Sequence, residues 1–131
     1  MTEDAREESP LLGAKAFDEE SVFTPESLVE NARQQKGLPE EPVPEVCVLD
    51  PDGDIVRQLV ATGEAYKDPA WPGYHTDLYR FERNDREYGI VGCAVGASFA
   101  VLVAEQLFAA GCQFLVSVTS SGQIVRKEDP P

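Results

Sequence analysis

The chain reads as an α/β protein with a mixed, twisted sheet flanked by helices, and three stretches say so. Residues 88–124 hold an apolar run of strand length, a break at Gly96, a long apolar segment to Ala110, a stop at Gly111 and a second apolar run from Phe114. That order is strand, glycine turn, helix, glycine cap, strand, and its two strands lie parallel through a right-handed crossover. Val46, Cys47, Val48 and Leu49 form another buried-strand run, followed by a turn and a helical stretch. Between the two, residues 77–82 alternate, Asn84 and Asp85 supply turn chemistry, and the strand at Tyr88 follows. This is an antiparallel hairpin, so the sheet is mixed.

In order along the chain, residues 1–20 are acidic, poor in aromatics and without a period, and read as a disordered arm. Residues 21–45 form a helix and a connector. Thr24 is the expected N-cap, Pro25 the first helical position and Glu26 an acid in the first turn, with Leu28, Val29 and Ala32 on one apolar side and Gly37 at the end. The helix is short and its stripe narrow, which places it across the outside of the core. The connector LPEEPVPE is proline-rich and extended. Residues 46–124 make up the α/β domain. Its first strand ends in Asp50, Pro51, Asp52, Gly53 and Asp54, and helix resumes from Ile55, with Val56, Leu59 and Val60 on one face, until Gly63. Residues 64–74 read as irregular; this aromatic loop around Trp71 either covers a pocket or plugs the end of the sheet. Residues 125–131 are a charged tail with two terminal prolines. Val46, Val48, Ile90, Val91, Val101, Leu102, Leu107, Phe114, Leu115 and Val116 are the expected core.

Composition narrows the function. At 131 residues the chain holds one domain at most, and its 42% apolar content is diluted by the first forty residues. The formal charge is −13, from 24 acidic and 11 basic side chains, only four of them lysine. Such a surface repels phosphate backbones and anionic membranes, so nucleic acid and membrane partners are not expected. No apolar run approaches a membrane span, the first residues are unlike a signal peptide, and a cytoplasmic location is the default. Cys47, Cys93 and Cys112 lie far apart beside apolar runs, without metal-ligand spacing, and read as buried thiols. The alternating acids Asp50, Asp52 and Asp54 suggest a calcium loop, but the twelve-residue pattern needs a glutamate where Ala61 stands. No metal is implied.

The parallel unit points to a place for a ligand. It opens the Gly96 turn and the turn of Thr119, Ser120, Ser121 and Gly122 on one sheet edge, where backbone N–H groups and small polar side chains converge. The positive end of the following helix points there as well, which suits an anion. Glycines kept only for tight turns are the alternative.

With these elements in order, residues 46–124 resemble the N-terminal half of the nucleoside phosphorylase and nucleosidase superfamily. VCVLDPDGDIVRQL is similar to its first strand, phosphate loop and helix, and DLYRFERNDREYGIVG to the hairpin before the glycine turn. CAVGASFAVLVAEQL with FLVSVTSSGQI is similar to the central strand, helix and ribose-phosphate turn. The resemblance implies a twisted mixed sheet binding a nucleoside at the strand ends in a homo-oligomer. It also implies cleavage of the N-glycosidic bond by phosphorolysis or hydrolysis. It carries Ser120 to the hydroxyl contacting phosphate and ribose, Ser121 to its neighbour near the base, Gly96 to a glycine beside the ribose and Asp50 to the acid of the first loop. Ser98 and Arg57 join the ribose and phosphate candidates, and His75 is a further one. No cofactor is implied, with inorganic phosphate as co-substrate in the phosphorolytic case.

The departures bear on chemistry. Phosphorylases of this superfamily hold phosphate with arginines, since a dianion needs fixed bidentate donors. At the corresponding places this chain has Gly53, Ser117 and the run Tyr74, His75 and Thr76. Nucleosidases lack those arginines, so hydrolysis is the easier reading. The acid beside the purine and the glutamate that orders the ribose belong to the superfamily's C-terminal half, which this sequence does not contain. Activity of this chain alone is therefore expected to be impaired. Three readings follow: a member, or an N-terminal portion, of a nucleoside phosphorylase-like protein whose ancestral activity is glycosidic cleavage of a nucleoside; a non-catalytic module that binds a nucleoside or docks a partner chain supplying the C-terminal half; and a truncated fragment with an unpaired sheet edge and poor solubility.

Overall fold

The computed structural model describes residues 13–124. Most of the acidic arm and the whole charged tail lie outside the described residues. Helix α1 spans Pro25–Lys36. Thr24 and Ser27 cap it reciprocally, the Ser27 amide donating to Thr24 Oγ1 at 3.2 Å and the Thr24 amide to Ser27 Oγ at 3.0 Å. Gly37, in the left-handed region, closes it. Strand β1 (Val46–Asp50) and helix α2 (Asp54–Ala61) follow, then strands β2 (Ala65–Lys67), β3 (Leu78–Arg83) and β4 (Arg86–Gly92), helix α3 (Ala97–Ala109) and strand β5 (Phe114–Ser117).

The sheet is mixed, with spatial order β2-β3-β4-β1-β5. β1 lies parallel to β4 and to β5, while β3 is antiparallel to β2 and β4. The β3–β4 hairpin turns on Asn84 (φ 52°) and Asp85 (φ 60°), both left-handed, as a two-residue turn matching the strand twist requires. Phe81 and Tyr88 face each other across it with ring centroids 5.4 Å apart.

Alternation along β1 divides the molecule into layers. Cys47 and Leu49 face one way, into a core with Val29 of α1 and Val103 and Leu107 of α3. Val48 and Asp50 face the other way, towards α2, in register with Ile90 and Gly92. Trp71 is buried in the core and its Nε1 donates to Thr76 Oγ1 at 3.0 Å. The aromatic loop therefore contributes a core side chain. Asp68, also buried, receives Arg80 Nε at 2.8 Å, and Arg80 further donates to Glu87 and to the Pro42 carbonyl.

Three expectations are corrected. The stretch read as irregular contains β2, a three-residue strand held by its register on β3. Cys93 is exposed, whereas Cys47 and Cys112 are buried. The predicted core is too generous. Ile90, Val91 and Leu107 are fully buried, but Val101 (56%), Leu102 (40%), Phe114 (62%) and Val116 (38%) remain exposed, and Val46, Val48 and Leu115 are half-buried. The reason is position: β5 is an edge strand, and the outer side of α3 has no neighbouring element among the described residues.

Candidate functional site

Parallel pairing brings the C-terminal ends of β1, β4 and β5 to one edge, with Asp50 opposite Gly92 and Leu49 opposite Ser117. Three connections leave from there, and the first is built around Asp50. This carboxylate is buried, and both its oxygens accept backbone amides, Gly53 N–H at 3.2 Å and Val56 N–H at 3.0 Å. It thereby satisfies donors at the start of α2, where no cap side chain serves. Asp50 thus shapes the loop from inside, each of its oxygens turned to a backbone amide. Its carbonyl accepts the Gly53 and Cys93 amides at 3.0 Å each, which ties the first connection to the second.

Gly53 cannot be replaced without displacement. Its φ of 76° is left-handed, and a Cβ there would lie 2.6 Å from Cys93 Sγ and 2.9 Å from Arg57 Nη1. The Arg57 guanidinium thus lies over the glycine, bonded to the Asp52 carbonyl at 3.1 Å and to Asp54 Oδ1. That carboxylate holds the guanidinium firmly charged. Asp52 turns the other way. Its Oδ2 accepts the Ser120 amide at 2.9 Å, and this bond above all, with help from the Ser120 and Thr119 side chains, holds the Asp52 carboxyl below the usual aspartate range.

The turn expected to converge with residues 119–122, at Gly96, follows β4, and β1 lies between β4 and β5; the first loop reaches the last turn through Asp52. This aspartate joins the Asp50 and Arg57 loop to Ser120, and Ser121 follows on the exposed side of the turn. Gly96 and Ser98 sit on the neighbouring connection, exposed, at an N-terminus of α3 that lacks a side-chain cap. His75 lies elsewhere on the same edge. It lines a cleft of about 250 Å³ with Val56, Thr76, Asp77, Tyr79, Gly92 and Cys93, on the α2 face of the sheet. Two larger hollows lie away from the strand ends, one at the C-terminal end of α1 and one beside Pro44, Glu45 and Arg86.

Sequence reasoning missed Asp52 and Cys93. Asp52 stands mid-way in the run of alternating acids, a position that could have flagged it. Cys93 follows the last residue of β4 with φ 63°, and nothing in its apolar surroundings announces an exposed thiol. The three acids of the first loop diverge, Asp50 to the α2 amides, Asp52 to Ser120 and Asp54 to Arg57. Among the described residues no group of three His, Cys, Asp or Glu side chains is placed to hold a metal ion. No helix among them is long and apolar enough to cross a membrane. No family model matches the chain, and neither does any curated protein or solved structure.

Proposed function

We propose that the chain is a nucleoside phosphorylase-like half-domain that binds a nucleoside at the C-terminal ends of β1, β4 and β5. Its ancestral reaction is cleavage of the N-glycosidic bond, hydrolytic in preference to phosphorolytic and impaired in this chain alone. The observation that carries the reading is the Asp52 bond to Ser120. It joins the first loop to the last turn at the ends of parallel strands, where the resemblance puts the phosphate loop and the ribose turn. Gly96, Ser98, Ser120 and Ser121 offer exposed backbone and hydroxyl groups to a sugar, and His75 borders the adjoining cleft.

Charge speaks against phosphate as co-substrate. At the first loop and the last turn the donors that would hold an anion are already engaged by carboxylates of the chain itself, the Gly53 and Val56 amides by Asp50, the Ser120 amide by Asp52 and Arg57 by Asp54, whereas the start of α3 carries no side-chain cap. An incoming dianion meets three acids and one neutralised arginine.

A binding-only role is the second reading, favoured by Asp52. Departure of a base needs a proton donor near its working pH, and Asp52 is held ionised by Ser120. Asp50 is buried and bonded to amides. The apolar side chains along β5 further support a sheet that continues past this edge.

Thermal melts of the chain with inosine, uridine, methylthioadenosine and phosphate test the proposal. A nucleoside that binds only the folded form raises the midpoint, by about 2.7 kcal/mol of stabilisation at a hundredfold excess over its dissociation constant. A rise with nucleoside and none with phosphate is expected. A rise with phosphate alone, or none with any nucleoside, refutes the reading, and absence of released base refutes its catalytic part only.

A further inference from the structure

We propose that two copies of this chain join edge to edge through β5, in an antiparallel two-fold pairing centred on Val116, to give one ten-stranded sheet. The inference stands without the nucleoside reading and rests on the construction of the edge. Phe114 N–H donates to the Glu45 carbonyl and Val118 N–H to the Leu49 carbonyl, so the even-numbered residues of this strand turn their backbone groups inward to β1. Leu115 and Ser117 turn theirs outward, to an edge with no partner strand among the described residues. Such an edge is normally protected by a lysine, a proline or a bulge. Residues 114–120 contain no lysine, no proline and no charged side chain.

The lack of charge selects a second copy as occupant. In a chain of formal charge −13, most of the surface repels another copy. A two-fold axis also sets like against like, so any charge near the axis would oppose its own image. The stretch from Gln106 to Ile124 is free of Asp, Glu, Lys and Arg. It includes the end of α3 and the whole of β5, and there two acidic chains can approach.

The sequence of the strand is self-complementary about one register. Pairing centred on Val116 sets Phe114 opposite Val118 of the second copy and Val116 opposite Val116, all apolar and on the α2 face of the sheet. Leu115 and Ser117, the residues with free outward N–H and C=O groups, then face Ser117 and Leu115 of the second copy and exchange both hydrogen bonds. The α3 helices of both copies come to lie on the opposite face of the continuous sheet, with Val101, Leu102 and Phe108 exposed on their surfaces.

Analytical ultracentrifugation of the full chain over a wide concentration range, with a cysteine scan, tests the pairing. Wild type is expected to sediment as a closed dimer, and Val116→Lys, which sets two ammonium groups face to face, to raise the dissociation constant by at least about tenfold. Scanning is done in a Cys93→Ser background, which removes the exposed native thiol. Val116 occupies a non-hydrogen-bonded pair, whose Cα separation of about 4.5 Å lies within the range a disulfide spans. Val116→Cys is therefore expected to cross-link rapidly when an added copper–phenanthroline oxidant accepts the two thiols' electrons, while Leu115→Cys and Ser117→Cys cross-link slowly. A monomer at all concentrations, an open-ended series of larger species, or equal cross-linking at the three positions would overturn the proposal. Cross-linking does not require Val116→Lys to fold, so the register is tested even if that variant does not.

Discussion

Replacing Asp50 by alanine removes a buried carboxylate that accepts two amides, Gly53 N–H at 3.2 Å and Val56 N–H at 3.0 Å. Nothing on α2 can take its place, because the helix has no side-chain cap of its own. A hydrogen bond to a charged acceptor contributes about 1.5–3 kcal/mol, and losing a helix cap costs about 0.5–2 kcal/mol. The two bonds share one carboxylate, and the Val56 amide is only partly buried and recovers some hydration. Asp50→Ala is therefore expected to destabilise the fold by about 2–4 kcal/mol. Asp50→Asn, which keeps one acceptor oxygen and turns an NH₂ towards the second amide, should cost about half as much. Urea titration followed by circular dichroism reads both, with the denaturant slope unchanged if the unfolded state is not altered. A loss below about 0.5 kcal/mol for the alanine variant would mean that water replaces the carboxylate at no cost, and the reasoning that Asp50 holds the first loop would fail.

Three further outcomes are expected. Asp52 has a lowered carboxyl pKa in the folded chain, so its contribution to stability is present above the unfolded value and is lost as pH falls through the folded one. The Ser120 amide proton should accordingly titrate below the usual aspartate range by NMR; Asp52→Asn should abolish the step, and a step within the ordinary range would refute the bond. Arg80 is 15% exposed and bonds Asp68, whose side chain is 3% exposed, so Arg80→Ala should cost about 3–5 kcal/mol in urea titration by stranding a buried carboxylate. Recovery in Arg80→Met with Asp68→Ala would identify the stranded charge as the cause. An aromatic disulfide reagent should modify one thiol quickly, at Cys93, and Cys47 only on unfolding, because burial above all, with Cys112 beside it, drives the Cys47 thiol pKa far up. Peptide mapping that finds Cys47 labelled first would contradict this.

The features legible in the sequence were those set by neighbours along the chain. The hairpin could be read because Asn84 and Asp85 accept left-handed angles, and α1 because Thr24, Pro25 and Gly37 mark its ends locally. β2 could not, since three residues carry no period and only pairing with β3 makes them a strand. Apolarity overstated the core at Phe114 and Val116 for a related reason: a side chain does not record whether an element covers it. That the Gly96 turn and residues 119–122 open on one sheet edge followed from the parallel crossover, which is a rule of topology. The link of the first loop to the last turn, Asp52 to Ser120, joins residues 68 apart and appears only in three dimensions.

The same loop shows how composition acts through geometry. An acid-rich chain could have left the strand ends bare of any positive site, yet the helix N-terminus, the Ser120 amide and Arg57 are all present. Each is held by an aspartate of the loop from 50 to 54, and a tethered carboxylate competes with free anions at a high effective concentration. Excess negative charge at this edge therefore does more than repel at a distance, because it occupies the donors themselves. The hydroxyls of Ser98 and Ser121 and the exposed backbone at Gly96 escape that competition. A neutral, hydroxyl-rich ligand can bind such groups without displacing a carboxylate, whereas at the first loop and the last turn an anion must first break an ion pair or a cap. At those two places, selectivity for a sugar over a phosphate would then follow from the internal contacts of three aspartates.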